Sequence, residues 1–504
     1  MSTEHSINPE IFREYDIRGL AGQDLTPAVA EQLGRAYAEV LSQWEKTYGT
    51  GRVDVAPAGG AWAAVDPQGE PSPVLVGRDN RLSSPDLAQG LMAGLRAAGR
   101  PVVDLGTVTT PMFYYARVRY RINGGIMVTA SHNPPQYNGF KMALGPGTLY
   151  GDEIQHLGRV AERIAAEPSD GAALRDSGAA RGGVGLPEVR REDVWPAYLE
   201  NLTQRIQLGP RRLRVVVDCG NGTASPYAVP FLESLGCHVI PLYCQPDGRF
   251  PNHQPDPVQR ENVQDLIREV QKNRADVGIA FDGDADRIGV VDDQGEILWG
   301  DRLMVLYWRE ILPRHPGATA IIEVKCSQAL VEEVERLGGR PLFYRTGHSL
   351  IKAKMREIGA VFTGEMSGHM FFADEYFGFD DAFYAAGRLL RILSQEERPL
   401  SQLLAHVPRY YSTAETRVSC TEKDKFRVVQ EITEHFRAEY PVIDVDGVRV
   451  LFPDGWALAR ASNTQPVIVA RCEAKTREGL KRISEEMKRQ LLAHPEVKPF
   501  DWEY

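Results

Sequence analysis

Val277-Gly278-Ile279-Ala280-Phe281-Asp282-Gly283-Asp284-Ala285-Asp286-Arg287-Ile288-Gly289-Val290-Val291 joins an apolar run, an acidic turn and a second apolar run. Both apolar runs read as strands. The three carboxylates stand at i, i+2 and i+4, so an extended chain would place them on one face. Each step of two residues there covers ~6.6 Å. One cation at ~2.1 Å from each oxygen cannot reach three carboxylates held straight at that spacing. The turn must therefore curl, and Gly283 makes the curl easy. Like charges brought to ~4 Å repel by ~4 kcal/mol at an effective dielectric of about 20. A bound cation relieves that cost, whereas a solvated acidic turn directly after a buried strand does not explain it. A calcium EF-hand loop needs glycine at its sixth position and helical flanks. Here the sixth position is Arg287 and the flanks are strands. Magnesium with oxygen ligands fits better, leaving open positions for a phosphoryl oxygen.

The same alternation runs through most of the chain. Val74–Val76, Ile126–Thr129, Val215–Val217 and Ala320–Val324 read as further strands, and Ser84–Ala98, Asn262–Asn273 and Gln328–Leu337 as amphipathic helices between them. This predicts α/β layers with mixed sheets. Ligands in such sheets gather at the carboxyl ends of strands. Those ends here are polar or glycine-rich turns: Gly77-Arg78-Asp79, Ala130-Ser131-His132, Asp218-Cys219-Gly220-Asn221-Gly222 and the aspartate turn. The last hundred or so residues read instead as a small α+β unit, with strands at Val448–Phe452 and Val467–Ala474 and a closing helix at Arg477–Leu492. Gly-, Ala- and Pro-rich stretches near Gly59 and Gly171 read as inserted loops.

A length of 504 residues exceeds one compact core, so several domains are expected. No apolar stretch is long enough for a membrane helix, and Met1 to Pro9 lacks the apolar segment of a signal peptide. A cytoplasmic protein without membrane partners is expected. The net charge of −10 argues against nucleic acid but leaves room for a small anionic substrate. Nothing sets an oligomeric state. The six cysteines are scattered without a C-x-x-C pair, so neither a zinc site nor a disulfide framework is indicated.

Gly124-Gly125-Ile126-Met127-Val128-Thr129-Ala130-Ser131-His132-Asn133-Pro134 runs a strand into a turn, and Tyr137-Asn138-Gly139-Phe140-Lys141 follows. Asn before Pro favours turns on its own, so a plain turn stays open at this point. The functional reading is a serine presented at a strand end, with His132 and Lys141 handling charge and protons. No G-x-S-x-G elbow for acyl transfer surrounds Ser131.

Thr129–Pro134 together with Asp282–Arg287 resembles the α-D-phosphohexomutase superfamily. Gly364-Glu365-Met366-Ser367-Gly368-His369 is similar to its sugar-reading loop, and Arg460-Ala461-Ser462-Asn463-Thr464-Gln465-Pro466 to its phosphate-binding loop. Four motifs in matching order cover nearly the whole chain. Phe12–Gly19 and Pro246–His253 point to the bacterial bifunctional phosphomannomutase/phosphoglucomutase subgroup. The resemblance implies four domains around a central cleft: three similar α/β domains with mixed sheets, then a smaller α+β domain. Their expected extents are 1–188, 189–296, 297–408 and 409–504.

The resemblance also implies site roles. Ser131 would carry the phosphoryl group and, with Asp282, Asp284 and Asp286, hold one magnesium ion per chain. Lys141, His132 and Arg287 would serve the transfer. Tyr15, Arg18, Lys325, His348, Glu365, Ser367 and His369 would bind substrate. Arg460, Ser462, Asn463, Thr464 and Arg471 would hold the phosphate that is not reacting. The expected partners are small sugar phosphates, with a hexose 1,6-bisphosphate as activator and intermediate. Phosphoglucosamine mutase is the nearest alternative, but its sugar loop typically carries Gln at the position of Met366. An aspartyl phosphatase, with Asp282 as nucleophile, is another class. A non-catalytic sugar-phosphate binder would not need the full set of reactive side chains.

Overall fold

The computed structural model describes residues 7–48, 71–166, 186–463 and 465–504. The insertions expected near Gly59 and Gly171, and Thr464, lie outside the described residues. Internal packing divides the chain into two units. Met1–Ile297 with Glu375–Glu397 forms the first, and Leu298–Asp374 with Arg398–Tyr504 the second.

In the first unit one sheet runs in the order Ile17–Leu20, Tyr137–Leu144, Gly124–Val128, Val74–Arg78, Val102–Thr107, Val189–Arg191. Val74–Arg78 pairs parallel with strands on both sides, whereas Gly124–Val128 and Tyr137–Leu144 are antiparallel. The sheet is mixed, as expected. Gly124–Val128 is buried along its length, which suits a central strand covered on both faces. A second sheet places Val277–Phe281 between Arg214–Asp218, its parallel neighbour, and Ile288–Asp292, its antiparallel return. The helix Ala382–Gln395 belongs to this unit. Asp381 caps it by accepting from the Tyr384 N–H at 2.8 Å, and Phe383 stacks on Phe281 with ring centroids 4.8 Å apart.

The second unit repeats the mixed design. Thr319–Glu323 pairs parallel with Arg340–Tyr344 and Phe362–Gly364, and Met370–Phe372 returns antiparallel. The last sheet is antiparallel, built around Val448–Phe452, Gly455–Ala461 and Val467–Ala474, and the helix Arg477–Leu492 packs on it. The elements read from sequence are present. The helix expected over Asn262–Asn273 begins as a short 3-10 turn at Arg260–Val263 and continues as α-helix over Gln264–Asn273. Among the described residues no helix is long and apolar enough to cross a membrane.

One buried cation joins the two sheets of the second unit. Arg449 is fully buried and donates to the carbonyls of Val324 at 2.8 Å and Cys326 at 2.7 Å. Its guanidinium lies 3.8 Å from the Trp456 ring centroid and 4.7 Å from that of Phe343. Replacing Arg449 with Ala strips donors from two buried carbonyls and should cost ~2–4 kcal/mol. Urea denaturation should show a lower midpoint, and an unchanged midpoint would count against this joint.

Candidate active site

The aspartate turn of the first unit curls as its sequence requires. The Ala285 N–H donates to the Asp282 carbonyl at 3.1 Å, and Ala285 takes a left-handed φ of 61°. The Arg287 N–H donates to the Asp282 carboxylate at 3.1 Å, closing the loop. Asp282, Asp284 and Asp286 are fully buried, and one oxygen from each lies within 4.8 Å of the others. Burial, and then the neighbouring Asp286 and Asp284, push the Asp282 carboxyl well above the usual carboxylate range.

The serine loop presses against this turn. Ser131 is buried and left-handed, with φ 50°, an uncommon and costly conformation for a residue other than glycine. Its hydroxyl donates to Asp282 Oδ2 at 2.6 Å, and His132 Nδ1 lies 3.2 Å from the same Oγ. A Cβ on Gly283 would stand 2.2 Å from the Ser131 carbonyl oxygen, so only glycine lets the two loops meet. Lys141, on the return strand, donates to Asp284 Oδ2 at 2.8 Å and also bonds Asp286. Thr110 and Thr129 hydroxyls donate to the same Asp284 oxygen at 2.6 and 3.1 Å. Burial works against the Lys141 ammonium, but Asp284 and Asp286 outweigh it and hold its pKa well above the ordinary lysine value.

These residues fit a divalent cation with oxygen ligands. The Asp284 Oδ1 atom is buried and has no hydrogen-bond partner, a costly state that a metal ion would relieve. A compact set of three carboxylates is the donor chemistry of a hard cation.

Arg18 lies next to the serine loop, donating to Asn133 Oδ1 at 2.7 Å and pairing with Asp16. Arg287 and Tyr15 are half-buried. Sequence reasoning missed what holds the loop. Arg81 is 1% exposed and donates to four of its carbonyls: Ser131 at 2.8 Å, Asn133 at 2.6 Å, Pro134 at 2.7 Å and Tyr137 at 3.1 Å. Asp79 orients Arg81 through Nε at 3.1 Å. The stretch Pro246–His253 backs this device. Phe250 places its ring 5.1 Å from the Arg81 guanidinium, and the next residue, Gln254, bonds the His132 carbonyl. The only forewarning was the polar turn after Val74–Val76.

The second unit assembles a different group. The motif Gly364–His369 connects Phe362–Gly364 to its return strand, Met370–Phe372. His369 Nδ1 lies 2.7 Å from Glu365 Oε2, and the Gly347 N–H donates to Glu365 Oε1 at 2.8 Å. Burial opposes the Glu365 carboxylate, but His369 and the Gly347 N–H outweigh it and hold its pKa below the usual range. The His348 ring centroid is 5.3 Å from that of His369, and Ser367 is half-buried in the same loop. Lys325 Nζ lies 3.1 Å from both Glu323 and Glu415. Lys325 in turn pulls the Glu415 carboxyl down to about 2.

The C-terminal sheet brings its cations to this group. Arg471 donates to the Lys325 carbonyl at 2.5 Å and also touches Met366 Sδ. Asp446 accepts from Arg460 Nε at 2.8 Å and from the Thr346 N–H at 3.1 Å, tying the Arg460 strand to the loop before His348. Ser462 is buried and Asn463 half-buried in the connection between Gly455–Ala461 and Val467–Ala474. Glu323, Glu415 and Asp446 escaped the sequence reading. Glu323 carried one signal: it stands two residues before Lys325 at a strand end.

Known proteins match this chain over nearly its whole length. Four successive segments match profiles of the phosphoglucomutase/phosphomannomutase family: alpha/beta/alpha domain I over residues 54–167, domain II over 196–295, domain III over 299–411 and the C-terminal domain over 415–490. The chain is 44% identical over 485 residues to a phosphomannomutase/phosphoglucomutase of Pseudomonas aeruginosa, covering 96% of each protein. It is 39% identical over 495 residues to a phosphoglucomutase of Neisseria gonorrhoeae, covering 98% of this chain and 99% of that one. The crystal structure of a phosphoglucomutase/phosphomannomutase family protein from Burkholderia thailandensis superposes with a TM-score of 0.82 at 40% identity, covering 98% of this chain and all of that one. With all four domains of the family matched in order and a relative 44% identical over 96% of the chain, the chain belongs to the phosphoglucomutase/phosphomannomutase family.

Proposed function

We propose that the chain interconverts hexose 1-phosphate and hexose 6-phosphate, of mannose, glucose or both, through a phosphorylated Ser131 and a hexose 1,6-bisphosphate. The observation that carries this reading is the Ser131 hydroxyl, 2.6 Å from Asp282 inside a buried triad of aspartates. The names of the full-length relatives support the same reaction class.

Phosphorylated Ser131 gives its phosphoryl group to the free hydroxyl of a hexose monophosphate. The Ser131 Oγ–P bond breaks as the sugar O–P bond forms, and the sugar hydroxyl loses its proton. The resulting bisphosphate turns end for end, and its other phosphate returns to Ser131. Asp282, Asp284 and Asp286 would hold one magnesium ion together with a Ser131 phosphate oxygen. When bound, it supplies positive charge to the transferring group. Phosphate-monoester hydrolysis is among the slowest uncatalysed reactions, so charge placed in advance matters greatly here. Arg287 offsets charge beside the triad. His132, 3.2 Å from Ser131 Oγ, and Lys141, on the aspartates, are the groups placed to move protons.

Glu365, Ser367 and His369 would read sugar hydroxyls in either orientation, because a carboxylate accepts from two hydroxyls at once. Lys325, His348, Tyr15 and Arg18 would line the substrate. Arg460, Ser462, Asn463, Thr464 and Arg471 would hold the phosphate at rest, Arg offering a planar fork to its oxygens. The four segments 1–188, 189–296, 297–408 and 409–504 would each contribute one loop to this cycle. We read the enzyme as cytoplasmic, acting on small molecules without nucleic-acid or membrane partners.

Side-by-side assays with mannose, glucose and glucosamine 1-phosphates, primed with a hexose 1,6-bisphosphate, should show turnover of mannose or glucose substrates ahead of glucosamine. Ser131→Ala should lose ~1,000-fold or more in kcat, and full activity in that variant would refute the reading. Calorimetry should detect one magnesium site per chain that Asp284→Ala weakens severely. Binding equal to the unaltered protein would remove the aspartates from the metal site. Arg81→Lys cannot reach four carbonyls, so kcat should fall ~10–100-fold with KM nearly constant. A change in KM alone would contradict its role in holding the loop.

A further inference from the structure

We infer that Cys219 and Cys244 are a two-thiol redox site that peroxide converts to a reversible disulfide beside the aspartate turn. Their sulfurs lie 2.9 Å apart, less than ~1 Å beyond a covalent S–S bond. Cys219 follows the strand Arg214–Asp218, and Cys244 lies two residues beyond its parallel neighbour His238–Leu242. The juxtaposition is built by the backbone. Tyr243 takes a left-handed φ of 51°, which turns the chain back towards Cys219. The Cys219 N–H donates to the Leu242 carbonyl at 3.1 Å, and the Asn221 N–H to the Tyr243 carbonyl at 2.9 Å, so both turns are bound to each other. Of the six cysteines, only Cys244 is not buried.

That asymmetry sets the order of events. Burial, with Cys244 beside it, pushes the Cys219 thiol well up, so the half-buried Cys244 meets the oxidant first. The Cys244 sulfur attacks one oxygen of hydrogen peroxide, the O–O bond breaks, and a sulfenic acid and water form. The Cys219 sulfur then attacks the Cys244 sulfur. The displaced hydroxide takes the Cys219 proton and leaves as a second water. Two thiols are oxidised by two electrons, one peroxide is reduced, and a dithiol reductant reverses the change by exchange.

The bond would be felt at the aspartate turn. The Gly222 N–H donates to the Cys219 carbonyl at 2.7 Å, and the Thr223 N–H to the Gly283 carbonyl at 2.9 Å. Drawing Cys219 towards Cys244 therefore pulls on the segment that supports Gly283.

The test treats the full chain with hydrogen peroxide, blocks remaining thiols, and maps peptides by mass. The expected result is one linkage between the Cys219 and Cys244 peptides, two of six thiols lost, and recovery of both with dithiothreitol. Mutase activity should fall and return in step, while Cys244→Ser shows neither the linkage nor this reversible loss. Six unmodified thiols, oxidation of Cys244 without a linkage, or an activity response shared equally by Cys244→Ser would each overturn the inference. The peptide map reads the site even if the proposed mutase reaction fails its own assay.

Discussion

The first unit depends on how three carboxylates can be buried together beside a serine. Asp282, Asp284 and Asp286 are fully buried on one tight turn, and one Asp284 oxygen lacks any hydrogen-bond partner. Unrelieved, such a cluster is among the most costly arrangements a protein core can hold. Lys141, Thr110 and Thr129 reduce the cost by bonding Asp284, and a divalent cation would complete the compensation. The serine loop shares the constraint. Ser131 is left-handed, its carbonyl requires glycine at 283, and Arg81 fixes four carbonyls around it. A dianionic phosphoserine can sit there only where positive charge is already provided.

One structural device presents the loops. In each mixed sheet a central strand ends in a turn that carries one of the sequence motifs and returns as an antiparallel neighbour: Gly124–Val128 into Tyr137–Leu144, Val277–Phe281 into Ile288–Asp292, and Phe362–Gly364 into Met370–Phe372. The C-terminal sheet does likewise between Gly455–Ala461 and Val467–Ala474. Anchoring both ends of a short turn in a sheet removes much of its freedom, so side chains are held before a ligand arrives. Within the second unit, Arg471 extends the same rigidity by tying the C-terminal sheet to Lys325 and Met366, and Asp446 by tying it to Thr346.

Much of this was legible in the residues. Short apolar runs located the central strands, and the i, i+2, i+4 aspartates required a curled turn because carboxylates on a straight strand lie too far apart. Ser131 was less legible, since Ser-His-Asn-Pro alone also reads as a plain turn, and only the other motifs in order resolved it. Asp446 could not be read at all, and Arg81 was announced only by the polar turn after Val74–Val76. Arg81 works on carbonyls some fifty residues away, and Asp446 bridges Arg460 to Thr346, so neither partner set is local in the sequence. The close approach of Cys219 and Cys244 likewise arises from two parallel strands and a left-handed Tyr243, not from cysteine spacing.

The most direct test of the central claim is the mass of the Ser131 peptide from purified protein, before and after a chase with unlabelled hexose monophosphate. The account predicts one phosphate on Ser131, stable to hydroxylamine, that leaves the protein and appears in hexose bisphosphate during the chase. A phosphate found on Asp282 and released by hydroxylamine, or a Ser131 phosphate that never exchanges, would contradict it.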